Sequence, residues 1–138
     1  MQKELAELRK AMKKFKEVRA VYLFGSTASG KTGPLSDIDI AVLANKDVDR
    51  IERSNLRLKL IAELTDIFKS DKIDLIILND APVQLTFEII SKGKLIFGRR
   101  GEIAEFEARA SSYYHDMKYY IDRYTKEIIK RTAGAGFG

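Results

Sequence analysis

The segment 25–39 constrains this chain more than any other. It reads Gly25-Ser26-Thr27-Ala28-Ser29-Gly30-Lys31-Thr32-Gly33-Pro34-Leu35-Ser36-Asp37-Ile38-Asp39, and it joins two apolar runs of strand length, 20–24 and 38–43. Residues 25–32 match the phosphate-loop pattern G-x-x-x-x-G-K-[ST]. Such a loop requires a helix that starts at its Lys-Thr, because the amides and dipole of a helix N-terminus hold the phosphates. Here Gly33-Pro34 follow at once, and only Leu35 and Ser36 precede Asp37. No helix fits before the second strand. The pattern is therefore set aside, although 75–80 (Leu-Ile-Ile-Leu-Asn-Asp) looks like the metal-binding strand that accompanies such loops.

The same glycine supports a different chemistry. Gly25-Ser26 closes one strand, ten residues intervene, and Asp37-Ile38-Asp39 opens the next. Residues i and i+2 of a strand face the same way, so the two carboxylates project to one side, about 7 Å apart at Cα. A hard divalent cation such as Mg2+ takes oxygen ligands of this kind. Gly25 lets a backbone amide approach a phosphate closely, and the Ser26 hydroxyl adds a donor. A third acid, Asp74, sits in the apolar run 72–78. A lone Asp-x-Asp reads more simply as a turn followed by a solvent-facing residue. Asp is disfavoured in strands, however, and a buried acid without a cation or donor is costly. Asp39 and Asp74 nevertheless occupy the two most apolar strands. If strand three neighbours strand two, the three acids would hold two metal ions, or one metal and a base, as in-line phosphoryl or nucleotidyl transfer requires.

Composition narrows the alternatives. The chain has 138 residues, the size of one domain, and no cysteine. Disulfide scaffolds, thiolate zinc sites and cysteine nucleophiles are excluded. His115 is the one histidine, which argues against a His-based metal centre or triad. No apolar run approaches the ~20 residues of a membrane span, and the charged start at Met1-Gln2-Lys3-Glu4 is not expected to be a signal peptide. The expectation is a cytoplasmic domain without membrane contact. Lys and Arg outnumber Asp and Glu by 25 to 20, a net of +5. The basic N-terminal helix lacks aromatic platforms, so nucleic acid is not expected as a direct ligand.

Apolar periodicity predicts helices at 2–17, 48–69, 82–92 and 102–131, with strands at 20–24, 38–43, 72–78 and 94–97. The helix at 48–69 is expected to bury Ile51, Leu58, Ile61, Leu64 and Phe68, with Asp47 as its cap. The order suggests an α/β (α+β) fold with one small mixed sheet flanked by helices. Residues 1–131 form the single domain and 132–138 a flexible tail. The last helix, roughly 45 Å long, exceeds the ~30 Å diameter of a globule of this size. Its first half is expected to cover the sheet. Its second half holds four of the six tyrosines within 114–124 and suits a partner. His115, among them, reads as a packed or surface residue. Arg99-Arg100 fit either an acidic partner or a nucleotide.

The pattern Gly25-Ser26-x10-Asp37-x-Asp39 resembles the signature of the DNA polymerase beta-like nucleotidyltransferases. The segments 21–26, 36–43 and 89–97 resemble its minimal branch, the MNT proteins, and the likeness covers roughly 15–100. The resemblance implies a nucleotidyltransferase fold that uses ATP with Mg2+. By it, Asp37 and Asp39 are metal ligands, Asp74 is a third ligand or the general base, and Gly25 and Ser26 hold the triphosphate. Many relatives carry arginines where this chain has Thr27 and Ser29; Lys31 nearby reads equally as the cation that compensates for them at the triphosphate or as a solvated loop lysine. The resemblance further implies a partner, a HEPN-domain RNase toxin, to whose tyrosine the protein transfers AMP as antitoxin. Two other functions stay open from the sequence: masking the toxin without catalysis, and nucleotidyl transfer to a small molecule or RNA.

Overall fold

The computed structural model describes residues 1–29 and 37–134. Its elements are α1 (Gln2–Met12), β1 (Val18–Leu23), α2 (Gly25–Ser29), β2 (Ile38–Ala44), α3 (Arg50–Phe68), β3 (Ile73–Ile77), a 3-10 turn (Leu78–Asp80), α4 (Val83–Lys92), β4 (Lys94–Phe97) and α5 (Arg100–Gly134). The four strands form one mixed sheet in the order β3-β2-β1-β4. β1 runs antiparallel to both β2 and β4, while β2 and β3 are parallel and joined through α3. The strands that flank the segment 25–37 pair antiparallel, unlike those of a strand–helix–parallel-strand unit, and residues 30–36 lie outside the described residues.

Strand alternation gives the sheet two apolar faces. Val21 and Leu23 of β1, Ile40 and Val42 of β2, and Leu75 and Ile77 of β3 meet Leu5, Leu8 and Met12 of α1 and Leu56, Leu60 and Leu64 of α3. Ala20, Tyr22, Ala41 and Leu43 point the other way, where Ile89 of α4 and Ile103 of α5 cover them. Each fully buried leucine of these layers stabilises the fold by about 1.5–3 kcal/mol.

Several local expectations shift. α3 buries Leu56, Leu60 and Leu64, whereas Ile51 and Leu58 are 75% and 66% exposed. Leu64 belongs to the expected face, and Ile61 and Phe68 of that face also pack against the core, while Leu56 and Leu60 take the place of Ile51 and Leu58 where α1 lies against the helix. Its cap is Asp49 rather than Asp47. The Asp49 side chain accepts from Glu52 N–H at 2.8 Å, and the Glu52 carboxylate accepts from Asp49 N–H in return. Lys69 ends the helix in the left-handed conformation. α1 stops at Met12, five residues early, because the chain turns to bring Phe15 onto the core. Pro82 lies just outside α4 as its N-cap, and Gly93 closes that helix. α5 continues through Gly134, three residues into the segment read as tail, and residues 135–138 lie outside the described residues. Among the described residues, no helix is long and apolar enough to cross a membrane.

Candidate active site

The acids gather at one pole of the sheet. β1 ends there, and the parallel strands β2 and β3 begin there. Asp39 stands in register with Asp74 across the β2–β3 pair, a strand separation of about 4.8 Å. By alternation Asp39 shares its face with Ala41 and Leu43, and Asp74 lies on the same face. Asp37 precedes β2 and is exposed, Asp39 is half-buried, and Asp74 is exposed. The exposure of Asp74 departs from the expectation of a buried strand acid. It follows from the covering helices, since α4 and α5 pack over β1 and leave the start of β3 open.

Asp39 is electrostatically strained. Burial raises its pKa above the ordinary carboxylate value, and the charges of Asp74 and Asp37 raise it further, as does a hydrogen bond shared with Asp74. Among the described residues, no group of three His, Cys, Asp or Glu is drawn together tightly enough to hold an ion unaided. The donor set is nonetheless all oxygen, on one face, and carries a like-charge penalty that a cation would relieve. These residues fit a divalent metal completed by oxygens from a second molecule.

Gly25 is fixed to the same spot. Its φ of +59° is a left-handed conformation that costs residues with a Cβ. A methyl group on it would lie 2.5 Å from Asp39 Oδ2 and 3.3 Å from Asp39 Cγ. Glycine is thus required twice, by the backbone and by the carboxylate against it. α2 begins at this residue. Sequence periodicity gave no sign of so short a helix, because five residues cannot display a helical repeat.

α2 also delivers a residue that sequence reasoning had treated only as a missing arginine. Thr27 is buried, and its hydroxyl oxygen accepts from Asp39 N–H at 2.9 Å. The same hydroxyl donates a long hydrogen bond, 3.5 Å, to the Asp37 carbonyl. Phe24 N–H donates to the Asp39 carbonyl at 3.1 Å. Asp37 and Asp39 are thereby tied to the end of β1 by backbone and side chain together. A cue existed in the sequence, since a threonine in place of a charged residue at a loop position suits a hydroxyl that bonds neighbouring backbone. Ser26 is half-buried on α2, one residue from Gly25. Lys31 lies outside the described residues.

A cavity of about 410 Å³ opens beside Gly25. Phe24, Ala28, Leu85 and Ile89 give it an apolar lining, and the Glu88–Lys92 ion pair, 3.7 Å, lies at its rim. Its size and lining suit a planar heterocycle. The site therefore joins three acids, a glycine turn and an apolar cavity within one short stretch of surface.

The chain matches known proteins. The polymerase beta nucleotidyltransferase family matches residues 6–102. The protein adenylyltransferase MntA of Shewanella oneidensis is 30% identical over 117 residues, 85% of this chain and 81% of that protein. Among solved structures, a chain of a toxin–antitoxin complex with AMP-PNP superposes with a TM-score of 0.71 at 27% identity, covering 91% of this chain and 98% of that one. A chain from the complex of tri-AMPylated Shewanella oneidensis HEPN toxin with MNT antitoxin gives a TM-score of 0.66 at 25% identity, over 93% and 98%.

Proposed function

The chain belongs to the polymerase beta nucleotidyltransferase family, and from that premise we propose that it is a protein adenylyltransferase that transfers AMP from ATP to a tyrosine hydroxyl of a cognate HEPN-domain RNase toxin, neutralising it. The observation that carries the reading is the register of Asp39 with Asp74, on the face of Asp37 and against Gly25. The similarity to MntA, and to chains from toxin–antitoxin complexes, supplies the adenylyl group and the class of acceptor. Such a protein acts in the cytoplasm, where ATP and the toxin are.

Asp37 and Asp39 are the proposed metal ligands, with Asp74 beside them. Bound Mg2+ supplies charge neutralisation of the triphosphate and acidifies the attacking hydroxyl. The chain's own residues do the rest. Gly25 presents its backbone to the triphosphate without a side chain in the way, and Ser26 adds a hydroxyl donor. The cavity lined by Phe24, Ala28, Leu85 and Ile89 takes the base. Thr27 holds the backbone of Asp37 and Asp39, so both carboxylates are placed before substrate arrives. The acceptor oxygen attacks the α-phosphorus, the bond from that phosphorus to the bridging oxygen breaks, and pyrophosphate leaves. Asp74 is exposed and open to the acceptor, which suits it to receive the hydroxyl proton. Lys31 is retained as a cation for the triphosphate on sequence grounds alone.

The test is direct. The chain is co-purified with the product of the adjacent gene, expected to be the HEPN partner, ATP and Mg2+ are added, and both chains are weighed by intact-mass spectrometry. Addition of one or more AMP units to the partner, absent in Asp37→Ala/Asp39→Ala, is the expected result. Protection by the double variant without any mass gain would instead establish neutralisation by masking. AMP on a small molecule or RNA, with an unmodified partner, would reassign the acceptor.

A further inference from the structure

The C-terminal part of α5 has no role in the site or the core. Ile103 and Ala110 are the buried residues of this 35-residue helix. Every residue from Lys118 to Gly134 is exposed, an overhang of roughly 25 Å at 1.5 Å per residue. Ile103, Phe106, Ala110, Tyr114, Met117, Ile121, Tyr124 and Ile128 fall within about 40° of one line along the helix at 100° per residue. The first three pack onto the body, while Ile121, Tyr124 and Ile128 are 50%, 69% and 45% exposed. One apolar seam thus runs from the interior out into solvent without a break. An uncovered helical arm of this composition is marginal in water on its own.

The root of the seam is open as well. Two adjoining cavities, of about 200 and 150 Å³, share Asn79, Phe106 and Arg109 and form a groove between the 3-10 turn and α5. Its inner part is apolar, through Leu78, Val83 and Ala110, and its far end holds Arg19 and Lys46 beside the Arg109–Glu105 ion pair, 2.6 Å, which leaves that end net cationic. The arm itself carries five cations against two carboxylates over 118–134, a net of +3. Tyr113, Tyr120 and Tyr124 add hydroxyls that need acceptors once covered.

We propose that the seam of α5 beyond Ala110, together with the groove at its root, is the docking surface for the proposed target protein, and that it takes from that protein an amphipathic helix whose apolar face is flanked by carboxylates. Charge complementarity decides the occupant. A second copy of this chain would set +3 against +3 on a molecule already at +5, whereas an acidic helix matches the cations at both ends. The groove lies at the ends of β2 and β3, through Leu43, Ala44, Leu78 and Asn79, whereas Asp39 and Asp74 stand at the starts of those strands, so occupying it leaves the acids open. This inference rests on the proposed function for the identity of the partner.

Two exposed positions of one helix provide the test. Ile121→Glu/Tyr124→Glu disrupts the seam, and Tyr119→Glu, 59% exposed and on the opposite side of α5, is the matched control. The probe is the partner protein of the preceding test, the proposed HEPN protein, with affinity measured by calorimetry and with light scattering on this chain alone. The seam variant is expected to bind at least about tenfold more weakly, as for loss of interface anchors, while the control binds as wild type. Unchanged affinity in the seam variant, with wild type still binding and adenylylating the probe, overturns the docking surface and leaves the proposed function standing. A wild-type chain that neither binds nor modifies the probe overturns both. Self-association of the wild type that the seam variant abolishes overturns the acidic helix in favour of a second copy.

Discussion

Gly25→Ala perturbs the candidate site through one added carbon, and the structure sets the size of the effect. At φ +59° an alanine pays the left-handed penalty of about 1–2 kcal/mol. In a domain of this size that lowers Tm by roughly 4–8 °C. The new methyl group also falls 2.5 Å from Asp39 Oδ2, inside any permitted contact, so the carboxylate must swing away. Thr27 and Phe24 hold the Asp39 backbone, hence the movement falls on the side chain, which is the reactive end. A displacement near 1 Å at a catalytic group costs about a hundredfold. Thermal unfolding by circular dichroism reads the first effect, and AMP incorporation into the HEPN partner reads the second. A double-mutant cycle separates the causes. In an Asp39→Ala background the clash partner is gone, so adding Gly25→Ala should cost only the backbone part of the stability loss. Wild-type activity in the single variant, or identical losses in both backgrounds, would refute the contact as the reason for the glycine.

The remaining predictions bear on the same pole and on the core. Because the folded-state pKa of Asp39 is raised, the metal-free protein should lose stability as pH climbs from about 3.8 through that higher value, and Asp39→Asn should flatten this slope in urea titrations at successive pH values. In the wild type, Mg2+ together with a non-hydrolysable ATP analogue should raise Tm with a logarithmic dependence on concentration, an effect that Asp39→Asn should remove. Thr27→Val leaves Asp39 N–H buried without an acceptor and should cost about 1–3 kcal/mol by denaturant unfolding, largely restored in Thr27→Ser. Leu60→Ala should cost about 2–5 kcal/mol, while Leu58→Ala on the exposed stripe should change stability by less than about 0.5 kcal/mol.

The strands and the acids could be read from sequence because both depend on local pattern. Apolar runs bounded by turn residues define β1, β2 and β3 wherever the rest of the chain goes, and i,i+2 alternation puts Asp37 and Asp39 on one side. What escaped depends on tertiary contact. The face of α3 is ambiguous until α1 lies against it, since Ile51 and Leu58 are as apolar as Leu56 and Leu60. The exposure of Asp74 depends on where α4 and α5 sit, which no property of β3 encodes. Thr27 looked like a deficit when compared with a pattern of arginines, and its value appears only once β2 passes beside α2. Asp49 prevailed over Asp47 as helix cap through Glu52, three positions on, a reciprocal pair that the sequence contains but that a single-residue reading overlooks.

The two poles of the sheet divide opposing demands. The site pole accumulates unfavourable features: a left-handed glycine, a carboxylate pushed toward its protonated form, and acids in register on adjacent strands. Such strain persists only where the surroundings over-determine it. The opposite pole supplies that constraint. There the Asn79 side chain spans the end of β2, accepting from Ala44 N–H at 2.9 Å and donating to the Ala44 carbonyl at 3.0 Å. Arg53 grips Asp80 through two hydrogen bonds, of 3.1 and 2.8 Å, and donates a third to the Val48 carbonyl at 2.8 Å. β2 and β3 are therefore anchored where they end, on either side of α3, and enter the site as a rigid parallel pair. Tyr22 stands between the poles, with its hydroxyl buried and without a hydrogen bond among the described residues and its pKa pushed up to about 12, chiefly by burial. Tyr22→Phe would remove that unmet donor and should leave stability unchanged or higher by about 1 kcal/mol. A loss larger than that, measured by urea unfolding, would mean that the hydroxyl is partnered in solution, placing a polar link between α5 and the sheet at the root of the docking arm.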